Sequence, residues 1–298
     1  MAIDNNNNKV PAPPSGTDAA DWARNNEARL VARWRVILSA SPDAKLLLKT
    51  LDAHGIRIRV NPDAASCGYV RPDPKRGNRP VIGINPLIEG WNEGAIIGTL
   101  AHELAHADQF VRGFDISLEH TPHPRDIILM DLLREADADA KCAHICHQLR
   151  QAGYSRPWNH RMRHVAPKVM YGYLEGLKKN KTNAMRKAVL GWFDTKRRQR
   201  YHIREIIAFM DANAARHGRI VNAQPLTRLM ARWLRRIGER PGQASYLNGT
   251  NIVEQIQDKV NNGGINPHNE ARLREIEIRL GLLCKYPRTP PPGKRPTM

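Results

Sequence analysis

Two histidines four residues apart, His102 and His106, lie in the run Ala95-Ile-Ile-Gly-Thr-Leu-Ala-His-Glu-Leu-Ala-His-Ala-Asp-Gln109. On a helix such a pair projects from one face, close enough for both imidazoles to bind a single metal ion. Glu103 lies about 100° further round the helix, where it reaches a water on the metal without being a ligand. This spacing points to metal-assisted hydrolysis, with Zn2+ as the cofactor, the histidines as ligands and Glu103 as the general base. A catalytic zinc usually takes three protein ligands, so one more must come from elsewhere in the chain.

The elements that would position these groups are visible as hydrophobic periodicity. Ile96, Ile97, Leu100 and Leu104 give the histidine segment a buried stripe, and Ala101, Ala105 and Ala107 allow close packing. Gly94 and Gly113 suit the two ends of that helix. A second helix is expected between Pro124 and Gly153. Along it Ile128, Leu132, Glu135, Asp139, Cys142, Cys146 and Leu149 follow at alternating spacings of four and three, which is one helical stripe. Two carboxylates therefore fall inside an apolar face. An unpaired buried carboxylate is costly. Glu135 as the third ligand, and Asp139 as acceptor for the free N–H of a ligating histidine, would satisfy both.

Together, His102-Glu103-x-x-His106 and Glu135-x-x-Ala138-Asp139 resemble the gluzincin pattern. Residues from about 55 to 150 are similar to uncharacterised bacterial metallopeptidase domains. The resemblance implies His102, His106 and Glu135 as zinc ligands, Glu103 as general base and Asp139 as the supporting aspartate. A metzincin would carry glycine at 109 and histidine at 112, where this chain has Gln109 and Arg112. The distance from His106 to His120 resembles the third-histidine spacing of Spartan/SprT-type proteases, which act on proteins crosslinked to DNA. Glu119 stands where those proteins usually have glycine, and Pro122 and Pro124 follow closely. Glu135 is the expected ligand and His120 the alternative. His144 and His147 fall off the buried stripe and are expected to make surface or secondary contacts.

The expected fold class is α+β: a zincin-like catalytic domain with a small sheet and active-site helices, then a mostly helical basic region. The expected divisions are a disordered tail at 1–22, the metallopeptidase domain at 23–152, the helical basic region at 153–285 and a second disordered tail at 286–298. Two helices are expected between Ala23 and Leu51, and strands at 56–60, 67–71 and 80–85. By the resemblance, an edge strand would receive an extended peptide, and residues 80–85 are the expected edge. The protein substrate's oxyanion needs a cationic or hydrogen-bonding partner, for which His160, His164, Tyr201 and His202 are candidates.

Charge divides the chain. Residues 1–150 carry 18 Lys+Arg against 19 Asp+Glu, and residues 151–298 carry 29 against 10, so the net +18 belongs to the second half. The clusters at 178–181, 196–200 and 232–236, with Trp192, Tyr201 and Trp233 among them, suit an acidic partner such as nucleic acid through residues 153–285. A catalytically inactive nucleic-acid-binding protein is the alternative from a different class, and an intact Glu103 argues against it. No apolar run is long enough to span a bilayer. Cys67, Cys142, Cys146 and Cys284 are too few and scattered for a disulfide framework, and no Sec signal peptide opens the chain. A cytoplasmic protein is expected, and one injected into another cell would look the same.

Overall fold

In the computed structural model, the described residues are 18–114, 124–217, 236–239, 244–248, 252–261 and 265–279. Most of both expected tails, His120, Trp233 and Cys284 therefore lie outside the described residues. The described chain opens on three helices, α1 (Asp18–Asn25), α2 (Glu27–Leu38) and α3 (Pro42–Ala53); α2 and α3 are the two expected between Ala23 and Leu51, and α1 begins within the stretch expected as a disordered tail. The break between α2 and α3 is set by Ser41, which caps α3 by accepting the Ala44 N–H at 3.2 Å, with Pro42 at the first helical position.

The sheet follows, with strands β1 (Arg57–Val60), β2 (Gly68–Asp73) and β3 (Arg79–Ile84) in the order β1-β3-β2. β1 pairs parallel to β3, and β2 pairs antiparallel to it. This corrects the expected edge: the strand covering residues 80–84 is the central one. Its residues explain why. Pro80 to Ile84 are all buried, whereas β1 alternates exposed and buried, the mark of a strand with one solvated face. Gly83 has no side chain because the Tyr69 ring lies across it; a Cβ there would come within 2.1 Å of that ring.

Helix α4 (Glu93–Val111) packs beneath the sheet and carries the histidine pair. Asn92, rather than Gly94, begins it, accepting the Ala95 N–H at 3.1 Å. Gly94 sits in the first turn, where the Arg156 backbone leaves no room for a side chain. Gly113, at φ +77°, ends the chain's helical path in the left-handed region. Helix α5 (Pro124–Gln151) has 28 residues and is about 42 Å long. It is buried on several faces, because α4, α3 and the later helices surround it.

Those later helices are α6 (Arg156–His160), a π turn (Arg161–Val165), α7 (Pro167–Leu177), α8 (Lys181–Phe193), α9 (Lys196–His217), α10 (Ile252–Asn261) and α11 (Pro267–Arg279). One hydrophobic core runs from Trp34 and Leu38 through Leu100, Leu104 and Leu132 to Trp192, Ile203 and Ile276. The class is α+β, mostly helical with a small sheet. Among the described residues, no helix is long and apolar enough to cross a membrane.

Candidate metal centre

α4 and α5 face one another at the level of His102, His106 and Glu135. The two histidine Nε2 atoms are 3.0 Å apart. Glu135 Oε1 lies 3.2 Å from His106 Nε2, and Oε2 lies 3.5 Å from His102 Nε2. Ligand atoms held at about 2.0–2.2 Å by a tetrahedral zinc stand about 3.3–3.6 Å apart; one edge of the triangle falls in that range and the other two are tighter by a few tenths of an ångström.

Hydrogen bonding fixes which atoms converge. His102 donates from Nδ1 to the Asp139 carboxylate at 3.0 Å. His106 donates from Nδ1 to Gln109 Oε1 at 2.8 Å. The Gln109 amide faces that way because its nitrogen donates to the Arg134 carbonyl at 2.9 Å and to Asp137 at 2.7 Å. Neutral rings committed through Nδ1 turn their Nε2 lone pairs inward. Two lone pairs and a carboxylate then meet at contact distance, an arrangement that calls for a cation. The electrostatics show the same preference. Burial opposes charge on His102, but Asp139 and Glu135 outweigh it and raise its pKa to about 10. Burial likewise opposes charge on Glu135, yet His106 and His102 hold its pKa well below the usual carboxylate value. The donor set fits a metal ion bound by His102, His106 and Glu135.

Glu103 lies against strand β2. It is buried, and burial is the first cause of its raised pKa. The space it occupies exists because residue 68 is glycine: a Cβ there would meet Glu103 Cγ and Oε1 at 2.9 Å. Beside it, Thr99 donates to Glu89 at 3.0 Å, and burial followed by the bond to Glu89 pushes the Cys67 thiol up to about 11.

Among the described residues, β2 also presents an unpaired backbone edge at this level. The Asn85 N–H bonds to the Cys67 carbonyl at 2.8 Å, which sets the phase of the antiparallel ladder. Cys67, Tyr69 and Arg71 turn their backbone groups to β3, so those of Gly68 and Val70 point outward. Ser66 Oγ already bonds the Gly68 carbonyl at 2.9 Å.

Residues beyond 153 reach directly into this centre. Arg161, buried in the π turn, and Arg198, on α9, both bond the Asp139 carboxylate that holds His102. Burial notwithstanding, these two arginines keep the Asp139 pKa far below the normal carboxylate range. Neither arginine was marked by its local sequence, since Arg198 sits in an ordinary basic run. His202, on the next turn of α9, lies 3.9 Å from Glu135 with its ring against Trp192. Of the other oxyanion candidates, Tyr201 is 53% exposed, and the His160 and His164 rings pack against each other at a tilt of 46°.

The basic clusters look different in three dimensions. Trp192 is fully buried and Gln199 bonds the Phe193 carbonyl inside the core, so only Lys196, Arg197 and Arg200 of that run are exposed. Lys181 pairs with Asp43 at 3.4 Å. His144 is buried rather than peripheral, bonded to Tyr173 at 2.6 Å. Cys142 and Cys146 are core residues, their sulfurs 3.9 Å apart.

A helix-borne histidine pair, completed by a carboxylate from a second helix and flanked by a buried glutamate, has the parts of a hydrolytic metal centre. The chain belongs to the family described as "Putative metallopeptidase family (DUF6782)", whose model matches residues 6–247. No curated protein and no solved structure matches it.

Proposed function

We propose that the protein is a gluzincin-type zinc metallopeptidase that hydrolyses peptide bonds, with a zincin-like catalytic fold. The observation that carries this reading is the convergence of His102 Nε2, His106 Nε2 and Glu135 on one point, each histidine held from behind through Nδ1. Bound zinc supplies a Lewis acid that acidifies water and polarises a carbonyl. The residues of the chain do the rest. Asp139 and Gln109 keep the histidines in the tautomer that presents Nε2. Glu103 takes the proton of the attacking water and passes it to the amine nitrogen as the peptide C–N bond breaks. His202, 3.9 Å from Glu135, hydrogen-bonds the developing oxyanion.

The free edge of β2 supports substrate entry by strand addition, with the outward backbone groups of Val70 and the Gly68 N–H as partners. That places an extended peptide alongside Glu103. The expected boundary at residue 152 then marks a change of charge rather than the end of the catalytic machinery, since Arg161, Arg198 and His202 serve the same centre. The reading is tested by Glu103→Gln, which keeps the shape and removes the base. Zinc content should stay at the wild-type level while hydrolysis of a quenched-fluorescent peptide library falls about 10²–10⁴-fold. Wild-type turnover by Glu103→Gln would remove Glu103 from the chemistry.

A further inference from the structure

The bond that orients His106 continues past Gln109 into a buried chain of polar groups. Gln109 Nε2 donates to Asp137 Oδ2, which also takes Lys141 Nζ at 2.9 Å. The other oxygen, Asp137 Oδ1, accepts the Tyr246 hydroxyl. Gln109, Asp137 and Lys141 are almost entirely buried, and Tyr246 is 4% exposed. Tyr246 is 109 residues from Asp137 in sequence, on a segment tied down at several points. Its N–H bonds the Gly238 carbonyl at 3.2 Å, and Arg186 Nε holds its own carbonyl at 2.5 Å. Arg112, at the end of α4, reaches the Arg236 carbonyl at 2.8 Å. The family match extends to residue 247 and so includes Tyr246.

We propose that Tyr246 is a positioning residue of the metal centre, setting the orientation of His106 through Asp137 and Gln109. This rests on the metal-centre reading above and adds the remote group on which that centre depends. The physical case is one of choices removed in sequence. An amide can present either its oxygen or its nitrogen to a histidine. Gln109 presents oxygen because the Arg134 carbonyl and Asp137, on its other side, both accept from the nitrogen. Asp137 keeps one oxygen on Gln109 because Tyr246 occupies the other. Without that hydroxyl the carboxylate is held only through Oδ2, by Lys141 and Gln109, and can rotate about that end, so the amide keeps the Arg134 carbonyl but has a less fixed second acceptor. His106 Nδ1 then has a less firmly placed acceptor, and the ring is held less tightly with Nε2 toward His102 and Glu135.

The test is zinc affinity by chelator competition on the full chain, with thermal melts of the metal-free protein alongside. Tyr246→Phe removes one oxygen and keeps the ring, and it should weaken zinc binding on the order of 10-fold, the lower end of the range for residues behind a ligand. Gln109→Met cuts the same chain nearer the metal and should weaken it by about 10–100-fold. In the Gln109→Met background, Tyr246→Phe should have no further effect, because the path through which it acts is gone. That coupling also keeps the proposal testable where one variant folds poorly. Tyr154→Phe is the structural control: Tyr154 donates to a carboxylate too, Glu93 at 2.7 Å, but at the start of α4. It should lower the metal-free Tm and leave zinc affinity unchanged. Wild-type zinc affinity in Tyr246→Phe would overturn the proposal, as would an equal loss in Tyr154→Phe or full additivity with Gln109→Met. A wild-type chain that binds no zinc would instead overturn the metal reading, and the proposal with it.

Discussion

Alanine at position 68 would push a methyl group into the wall against which Glu103 rests. A Cβ there meets Thr99 Cγ2 at 2.7 Å and both Glu103 Cγ and Oε1 at 2.9 Å. Carbon contacts settle at about 3.5–4.0 Å, so the neighbours must yield by about 0.6–1.3 Å. Thr99 is held on α4 with its hydroxyl bonded to Glu89, so Glu103 takes most of the displacement. Overpacking of this kind costs about 1–3 kcal/mol, a fall in Tm on the order of 5 °C for a chain of this size. Misplacing a reacting group by about 1 Å costs about 10²-fold in rate. Gly68→Ala should therefore melt earlier and cleave the peptide library far more slowly, while its zinc content stays at the wild-type level. Thermal melts, metal analysis and turnover on the same preparation measure all three. A variant with wild-type Tm and wild-type turnover would refute the confinement of Glu103 by β2.

Arg198→Met should weaken zinc binding by about 10–100-fold by loosening Asp139 behind His102, whereas combined charge reversal of the exposed Lys196, Arg197 and Arg200 should leave it intact. Equal effects of the two changes in chelator competition would contradict the inward role of Arg198. Glu93→Gln should cost about 1–3 kcal/mol at neutral pH, because it breaks the contacts of that carboxylate with Arg33 and Tyr154. Burial opposes the Glu93 charge, but Arg33 and Tyr154 outweigh it and lower its pKa. Its contribution is thus present above the unfolded pKa and lost as pH falls through the folded one. Denaturant melts of the two proteins should converge in acid, and a gap that stays constant would contradict this sign.

What was legible in the sequence was local. The helical spacing of His102 and His106, and the four-and-three stripe through Glu135 and Asp139, follow from periodicity alone, and the structure brings those four side chains together. The three strands lie close to where alternation and apolar runs put them. Their order was not legible, because β3 is central only through pairing with β1 and β2, and the run from Pro80 to Ile84 reads the same at an edge. Gln109 looked merely like a missing metzincin glycine, although its amide orients His106. Arg198 and Tyr246 were hidden for a different reason. Their partners are 59 and 109 residues away in sequence, and nothing in a basic run or a lone tyrosine shows which carboxylate it meets. Trp192 shows the converse, an aromatic among cations that is buried completely.

The most direct test of the account is metal analysis of the purified chain beside Glu135→Ala and His120→Ala. About one zinc per chain is expected for the wild type and for His120→Ala, with most of it lost from Glu135→Ala, because Glu135 closes the triangle with His102 and His106. Full zinc in Glu135→Ala together with its loss from His120→Ala would contradict the ligand set and transfer the third position to His120.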